Sequence, residues 1–166
     1  GKTDREILLF AHLDHPFQAN DNLSGVACLV DLAHQLKGKF EHTIIIIFCP
    51  ETIGSIAYAN TQYLSKVDFV IVLDIVGNNN SLLFQKSFDE MDIINYYAHL
   101  AITHQSKDYR KGQFRLLLGS DEYVFSDPKI NIPSILFSRF PYPEYHTSDD
   151  TPDIIKEERI KEVQGV

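Results

Sequence analysis

Short apolar runs alternate along the chain with longer segments whose apolar residues recur at helical spacing. Each run is continuous rather than alternating, which is the pattern of a strand buried on both faces of a parallel sheet. The predicted strands lie at residues 7–10, 43–48, 67–73 and 132–137, with a shorter strand at 82–84. Several runs are followed closely by acidic or histidine residues, which indicates that their carboxyl ends open onto a site.

The predicted helices lie between and after these strands. Residues 23–36 place apolar side chains at helical spacing, and Gly38 follows as a helix stop. The other helical patterns involve residues 91–104, the residues Ile56, Ala57, Tyr63 and Leu64, and a terminal helix start at Thr151, Pro152 and Asp153. Strands that alternate with helices predict an α/β fold, a three-layer αβα sandwich around a mixed, mostly parallel sheet.

Composition and charge narrow the class of protein. The 166 residues fit one domain, and 44% hydrophobic with 23% charged residues are typical of a globular protein. Fifteen basic against 23 acidic residues give a net charge of −8, which argues against nucleic acid and anionic membrane surfaces as partners. No apolar stretch approaches the ~20 residues that span a bilayer, and no signal segment is recognisable. We therefore expect a cytoplasmic protein with a small or peptidic substrate; the oligomeric state is not indicated.

Acidic and histidine side chains follow several predicted strands or precede the first helix. These candidates are His12, Asp14, Asp21, Glu51, Asp74 and His146. Because ligands gather at the carboxyl ends of strands in such sheets, we expect these side chains to converge. Imidazole and carboxylate are the natural ligands of a catalytic zinc. Taken singly, each has a plainer interpretation: Asp14 as a turn carboxylate and Asp21 as a helix N-cap.

Six segments occur in an order that resembles a known family. They are HLDHP at 12–16, NDNLSG at 20–25, PETIGS at 50–55, LDIVG at 73–77, GSDEYVF at 119–125 and YHTSDDT at 145–151. The chain resembles the co-catalytic zinc aminopeptidases, which include bacterial leucyl aminopeptidases, glutamate carboxypeptidase and glutaminyl cyclase. Three of the segments are more similar still to a bacterial aminopeptidase-like branch. The resemblance implies a zinc-dependent hydrolase that cleaves a peptide or amino-acid amide next to a free amino terminus.

The resemblance also implies roles for the candidate residues. His12 and Asp74 would hold one zinc ion, Asp21 would bridge, and His146 would hold the other ion. Glu51 would be the general base. Asp14 would assist catalysis by orienting His12. The loop with Asp121 would line the substrate side of the site. Tyr145 would bind the substrate there or support the residues that do, and Asp150 would support the loop that bears His146. His15 lies close enough to bind metal or substrate, but the family pattern gives it no fixed role.

Two departures from the family pattern leave questions open. Members usually have two adjacent glutamates, base and then ligand, where this chain has Glu51 and Thr52. The number of zinc ions is therefore one or two. An alternative also stays open, in which Glu51 is the ligand and the chain has no general base.

Members also have a further strand region before the first metal motif, whereas only eleven residues precede His12. We expect residues 1–166 to form a single aminopeptidase-like domain that lacks the usual N-terminal strands.

Two other functions fit the same resemblance. A domain of this fold with an impaired metal site would serve in binding or as a scaffold, and Thr52 favours that alternative. Zinc-dependent aminoacyl transfer or cyclisation at an amino terminus, as in glutaminyl cyclase, is the second. Metal content, and amine release compared with ring formation, distinguish these alternatives from hydrolysis.

Overall fold

The computed structural model of the chain describes residues 1–16, 19–38, 40–61 and 64–166. In these residues six strands form one sheet in the order β2–β1–β3–β6–β4–β5. The strands are β1 Glu6–His12, β2 Thr43–Cys49, β3 Val67–Asp74, β4 Leu82–Gln85, β5 Tyr109–Gly112 and β6 Ser134–Ser138. All neighbouring strands are parallel except β4 and β6. The sheet is mixed and mostly parallel, which confirms the predicted fold class.

Helices cover both faces of this sheet. They are α1 Ser24–Gln35, α2 Ile53–Thr61, α3 Ile93–Gln105, α4 Glu122–Phe125 and α5 Glu157–Gln164. Helices α1, α3 and α5 contribute to one apolar cluster, which includes Leu9 and Ala11 of β1. Helices α2 and α4 pack against a second cluster, which includes Leu8 and Phe10 of the same strand. The alternate residues of β1 thus face two separate cores, as a three-layer sandwich requires.

The structure corrects the predicted elements in three places. The terminal helix does not begin at Thr151: Pro152–Ile154 form a single 3₁₀ turn, and α5 begins at Glu157. The intervening chain is held extended because the Lys156 N–H donates to the Gly77 carbonyl. Strand β5 and the short helix α4 were not predicted. In the second helical pattern, Tyr63 lies outside the described residues.

The register of the sheet explains where polar residues meet. His12 ends β1 opposite Cys49, the last residue of β2, and Asp74 ends β3 opposite Ser138 of β6. The loops after β1, β2, β3 and β6 therefore leave the same edge of the sheet. Among the helices of the described residues, none has the length and apolar character needed to cross a membrane.

Candidate metal centre

A buried histidine meets two buried carboxylates where β1 and β3 end. The Nε2 atom of His12 lies 3.0 Å from Asp21 Oδ1 and 3.2 Å from Asp74 Oδ1. All three residues are at most 3% exposed. Their ligand atoms lie close enough together to hold one metal ion. The structure thus brings together three of the four residues predicted as metal ligands.

The fourth, His146, lies on the other side of Asp21. Its Nε2 atom is 3.0 Å from Asp21 Oδ2, so the two oxygens of this carboxylate point towards different histidines. The Tyr145 ring stacks on the His146 ring, with centroids 3.8 Å apart and planes at 21°. Burial, followed by the charges of Asp21, Asp74 and Glu51, raises the pKa of Tyr145 to about 12. Tyr145 is therefore a neutral platform for the His146 imidazole.

The electrostatics of the centre favour a cation. Burial acts to lower the pKa of His12, yet hydrogen bonds to Asp21 and Asp74 raise it to about 12. A proton on His12 offsets part of the negative charge of these buried carboxylates, which would otherwise carry a large desolvation cost. Imidazole and carboxylate are also the donor set that zinc prefers. The residues present therefore fit a divalent metal ion.

Three polar side chains at the start of α1 and just before it explain how Asp21 comes to lie beside Asp74. Asn20, Asn22 and Ser24 are buried. Asn20 Oδ1 accepts the Gly77 N–H, Ser24 Oγ accepts the Val76 N–H, and Asn22 Oδ1 accepts the Ile75 N–H. The Asn22 amide also donates to the Leu73 carbonyl at 2.7 Å. The NDNLSG segment is thus bonded to the backbone on both sides of Asp74, a positioning role that the sequence analysis missed.

Gly25 is required at this junction. A Cβ atom at position 25 would lie 2.4 Å from Asn22 Oδ1 and 2.7 Å from the Leu73 carbonyl oxygen. Neither group is free to move, because the Asn22 Nδ2 amide donates to the Leu73 carbonyl and Asn22 Oδ1 accepts the Ile75 N–H. The glycine therefore allows the first turn of α1 to approach the end of β3.

Asp150 supports the turn that carries Asp21. Its Oδ1 accepts the Asn20 N–H at 2.7 Å, and its Oδ2 accepts the Asp21 N–H at 3.1 Å. The Tyr142 hydroxyl donates to the same Oδ2 at 2.7 Å. The resemblance implied that Asp150 supports the loop that bears His146. In the structure, Asp150 joins that loop to the Asp21 turn.

Asp14 links His12 to the predicted general base. Its Oδ1 lies 2.9 Å from His12 Nδ1, and its Oδ2 accepts the backbone N–H of Glu51 at 3.0 Å. The Glu51 side chain is 28% exposed and lies on the open side of the centre. Burial, reinforced by the charge of Asp74, raises the pKa of Glu51. A half-buried carboxyl with a raised pKa is suited to accepting a proton.

Asp121 holds the turn that follows Glu51 through hydrogen bonds. The residue is buried, and its Oδ1 accepts the Thr52 N–H at 2.8 Å and the Ser55 hydroxyl at 2.5 Å. Burial raises the pKa of Asp121, although the bonds from Ser55 and Thr52 oppose that shift. Asp121 therefore fixes the backbone on the far side of Glu51.

Three non-glycine residues with positive φ lie beside the candidate ligands and base. They are Thr52 at 61°, Ile75 at 57° and His146 at 57°. Such values are rare for β-branched residues and persist only where the surrounding contacts hold them. Thr52 follows Glu51, Ile75 follows Asp74, and His146 is itself a candidate ligand, so the positive φ values occur where the chain turns at the candidate base and ligands.

His15 also reaches the centre, although the family pattern gives it no fixed role. Its Nε2 atom lies 3.7 Å from Asp21 Oδ1 and 4.0 Å from Glu51 Oε2. Together with Asp21 and His146 it forms a group whose ligand atoms lie within 4.8 Å of one another. Its place three residues after His12 in HLDHP is the sequence signal that could have identified it.

Glu122 gives a prediction about stability. The side chain is fully buried, Ser120 donates its N–H to Oε2 at 2.9 Å, and burial raises the pKa of Glu122 to about 8 from an ordinary 4.5. The folded state then keeps a proton that the unfolded chain releases, so the free energy of unfolding falls between pH 4.5 and about pH 8. Glu122→Gln removes this dependence. Each pKa unit is worth about 1.4 kcal/mol, so the mutant should gain a few kcal/mol over wild type between these limits.

Urea unfolding of both proteins at pH 5 and pH 8 measures this effect. Glu158→Gln, at an exposed position of α5, is the control. The free energy of unfolding of Glu122→Gln, relative to that of wild type, should be higher at pH 8 than at pH 5. An equal difference at both pH values would contradict the prediction.

Comparisons with known proteins place the chain in a family. A family model described as a domain of unknown function, DUF4910, matches residues 1–166. A Clostridium acetobutylicum protein, whose description names polysaccharide biosynthesis and an aminopeptidase-like domain, is 35% identical over 156 residues. The match covers 90% of this chain and 36% of that protein.

Two solved structures share the fold. A C. acetobutylicum protein described as a peptidase has a TM-score of 0.92 at 30% identity, covering 99% of this chain and 40% of that one. The zinc aminopeptidase of Bacillus subtilis has a TM-score of 0.84 at 23% identity, covering 97% and 44%. The chain therefore spans less than half the length of these proteins, and it has the fold of zinc aminopeptidases.

Proposed function

Because the chain belongs to the DUF4910 family and shares its fold with zinc aminopeptidases, we propose that it is a zinc-dependent hydrolase of the aminopeptidase type. The observation that carries this proposal is the buried group of His12, Asp21 and Asp74, with Glu51 beside it. A peptidase relative and an aminopeptidase-like relative at 30% identity or more support the class of reaction. We also infer that residues 1–166 form a single aminopeptidase-like domain.

The residues of the centre divide the work as follows. His12, Asp21, Asp74 and His146 would hold the metal. Zinc bound there would act as a Lewis acid and lower the pKa of water. Glu51 accepts a proton from the attacking water and returns it to the leaving nitrogen, so that the amide bond breaks with no net proton change.

The remaining groups keep this arrangement fixed. Asp14 orients the His12 ring and holds the Glu51 backbone, while Asp121 holds the Thr52 backbone. The excess of buried carboxylates favours a substrate with a free ammonium group. The substrate class is therefore a peptide or amino-acid amide with an unblocked amino terminus.

The test combines metal analysis with an activity assay. We expect the full chain, purified without chelator, to contain zinc and to release amine from aminoacyl amides and peptides but not from their N-acetylated forms. Ring formation from an N-terminal glutamine, with loss of ammonia, would favour the cyclisation alternative. Bound zinc without turnover on any free-amine substrate would favour the scaffold alternative, and absence of zinc would contradict the metal centre.

A further inference from the structure

We propose that His15 is a ligand of a second metal ion, in the place of the glutamate that this chain lacks at position 52. The proposed ligand set of this ion is His15, Asp21 and His146. This inference rests on the proposed function because it needs a metal centre at this edge of the sheet. It adds a ligand that the family pattern does not supply.

Position 52 does not contribute a ligand. The Tyr123 hydroxyl donates to the Thr52 hydroxyl at 2.9 Å, so the threonine side chain is directed towards α4. A neutral hydroxyl is also a poor zinc ligand compared with imidazole, thiolate or carboxylate. If a second ion is bound, its third protein ligand must come from another residue.

His15 lies where that ligand is needed. Its ring is 5.0 Å from the His12 ring and 5.1 Å from the His146 ring, measured between centroids. The side chain is 29% exposed, so it lies at the open mouth of the centre, whereas His12 lies at its base. Ligand atoms of His15, Asp21 and His146 lie within 4.8 Å of one another. Zinc ligands at about 2.0–2.1 Å from the ion stand about 3.4 Å apart, so small side-chain movements complete the set.

Asp21 has the geometry of a shared ligand. Its Oδ1 lies 3.0 Å from His12 Nε2, and its Oδ2 lies 3.0 Å from His146 Nε2. Oδ1 faces both His12 and His15, whose Nε2 atom lies 3.7 Å away, and Oδ2 faces His146, so this carboxylate would be shared between an ion held with His12 and one held with His15 and His146. Three protein ligands and one open position are typical of a catalytic zinc, and His15 brings the second ion to that number.

A competing role for His15 is support of the general base. His15 Nε2 lies 4.0 Å from Glu51 Oε2, and His12, His15 and Glu51 also form a group able to hold a metal ion. In that role His15 would affect turnover but not the number of bound ions. Metal stoichiometry therefore separates the two roles.

The experiment measures zinc binding to the full chain by calorimetry and by elemental analysis after dialysis. The variants are His15→Ala, His15→Glu, which keeps a zinc ligand, and His34→Ala, which removes an exposed histidine of α1. We expect about two zinc ions per chain in wild type, His34→Ala and His15→Glu, and one tight ion in His15→Ala. The second ion should bind at least about 100-fold more weakly in His15→Ala, since losing even an indirect support costs about 10–100-fold. Circular dichroism checks that each variant is folded.

X-ray absorption at the zinc edge supplies an independent readout. Wild type should show scattering from three imidazoles shared between two ions, and His15→Glu should show fewer imidazoles at the same stoichiometry. The inference is overturned if His15→Ala keeps both ions at wild-type affinity, or if wild type binds one ion only. In those cases the proposed function still stands, whereas a wild type without zinc would overturn both.

Discussion

Replacing Asp21 by asparagine is expected to abolish tight metal binding throughout the centre. The Asp21 carboxylate approaches His12 at 3.0 Å and His146 at 3.0 Å, so it is the one group common to both proposed ions. Asparagine keeps the size of the side chain but loses the negative charge and one oxygen acceptor. Zinc affinity should fall by more than about 100-fold, beyond the loss expected for an indirect support. Elemental analysis after dialysis should then find almost no zinc.

The fold should survive this change. The Asp21 backbone N–H still donates to Asp150, and the bonds from Asn20, Asn22 and Ser24 to residues 75–77 do not involve the Asp21 side chain. Asp149→Asn is the matched control because this exposed aspartate lies next to Asp150. The control should bind zinc as wild type does. Full zinc content in Asp21→Asn would show that the Asp21 side chain is not needed to hold the metal.

The strands at the centre of the sheet could be predicted because their physics is simple. A strand buried on both faces must be apolar along its length, and the runs near Ile7, Ile45, Ile71 and Ile135 all became strands. Strand β5 was not predicted because its residues, Tyr109–Gly112, are mostly polar. In the described part of the chain it pairs with β4 alone, at the edge of the sheet, where backbone hydrogen bonds and the packing of Tyr109 against the core place it.

The metal ligands could be anticipated from their places after strands, but the residues that position them could not. Asn20, Asn22 and Ser24 lie at or just before the first residue of a helix, where capping is the expected role, and their bonds to residues 75–77 depend on tertiary structure. Burial of the adjacent acids Asp121 and Glu122 was equally unexpected, because such pairs are normally solvated. Only the structure shows that Asp121 accepts bonds from the turn after Glu51.

Glu51→Gln is expected to lower turnover while leaving zinc in place. In the proposed mechanism Glu51 accepts the proton of the attacking water, and an amide at this position cannot do so. A positioned general base contributes about 10²–10⁴-fold, so kcat for aminoacyl amides should fall by about that factor. KM should change little, because glutamine keeps the shape of the side chain and Asp14 still holds the backbone N–H.

The same variant decides between the two roles of Glu51 that the sequence left open. If Glu51 were instead a ligand that replaces the glutamate missing at position 52, Glu51→Gln would lose zinc, and added zinc would partly restore activity. In the proposed arrangement His15 supplies that ligand and Glu51 acts as the base. Glu144→Gln, in the loop that carries His146, is the control for general effects of losing a carboxylate near the centre. Zinc content and kcat should therefore be measured on the same preparations. Loss of zinc from Glu51→Gln, with rescue by added zinc, would contradict the general-base assignment.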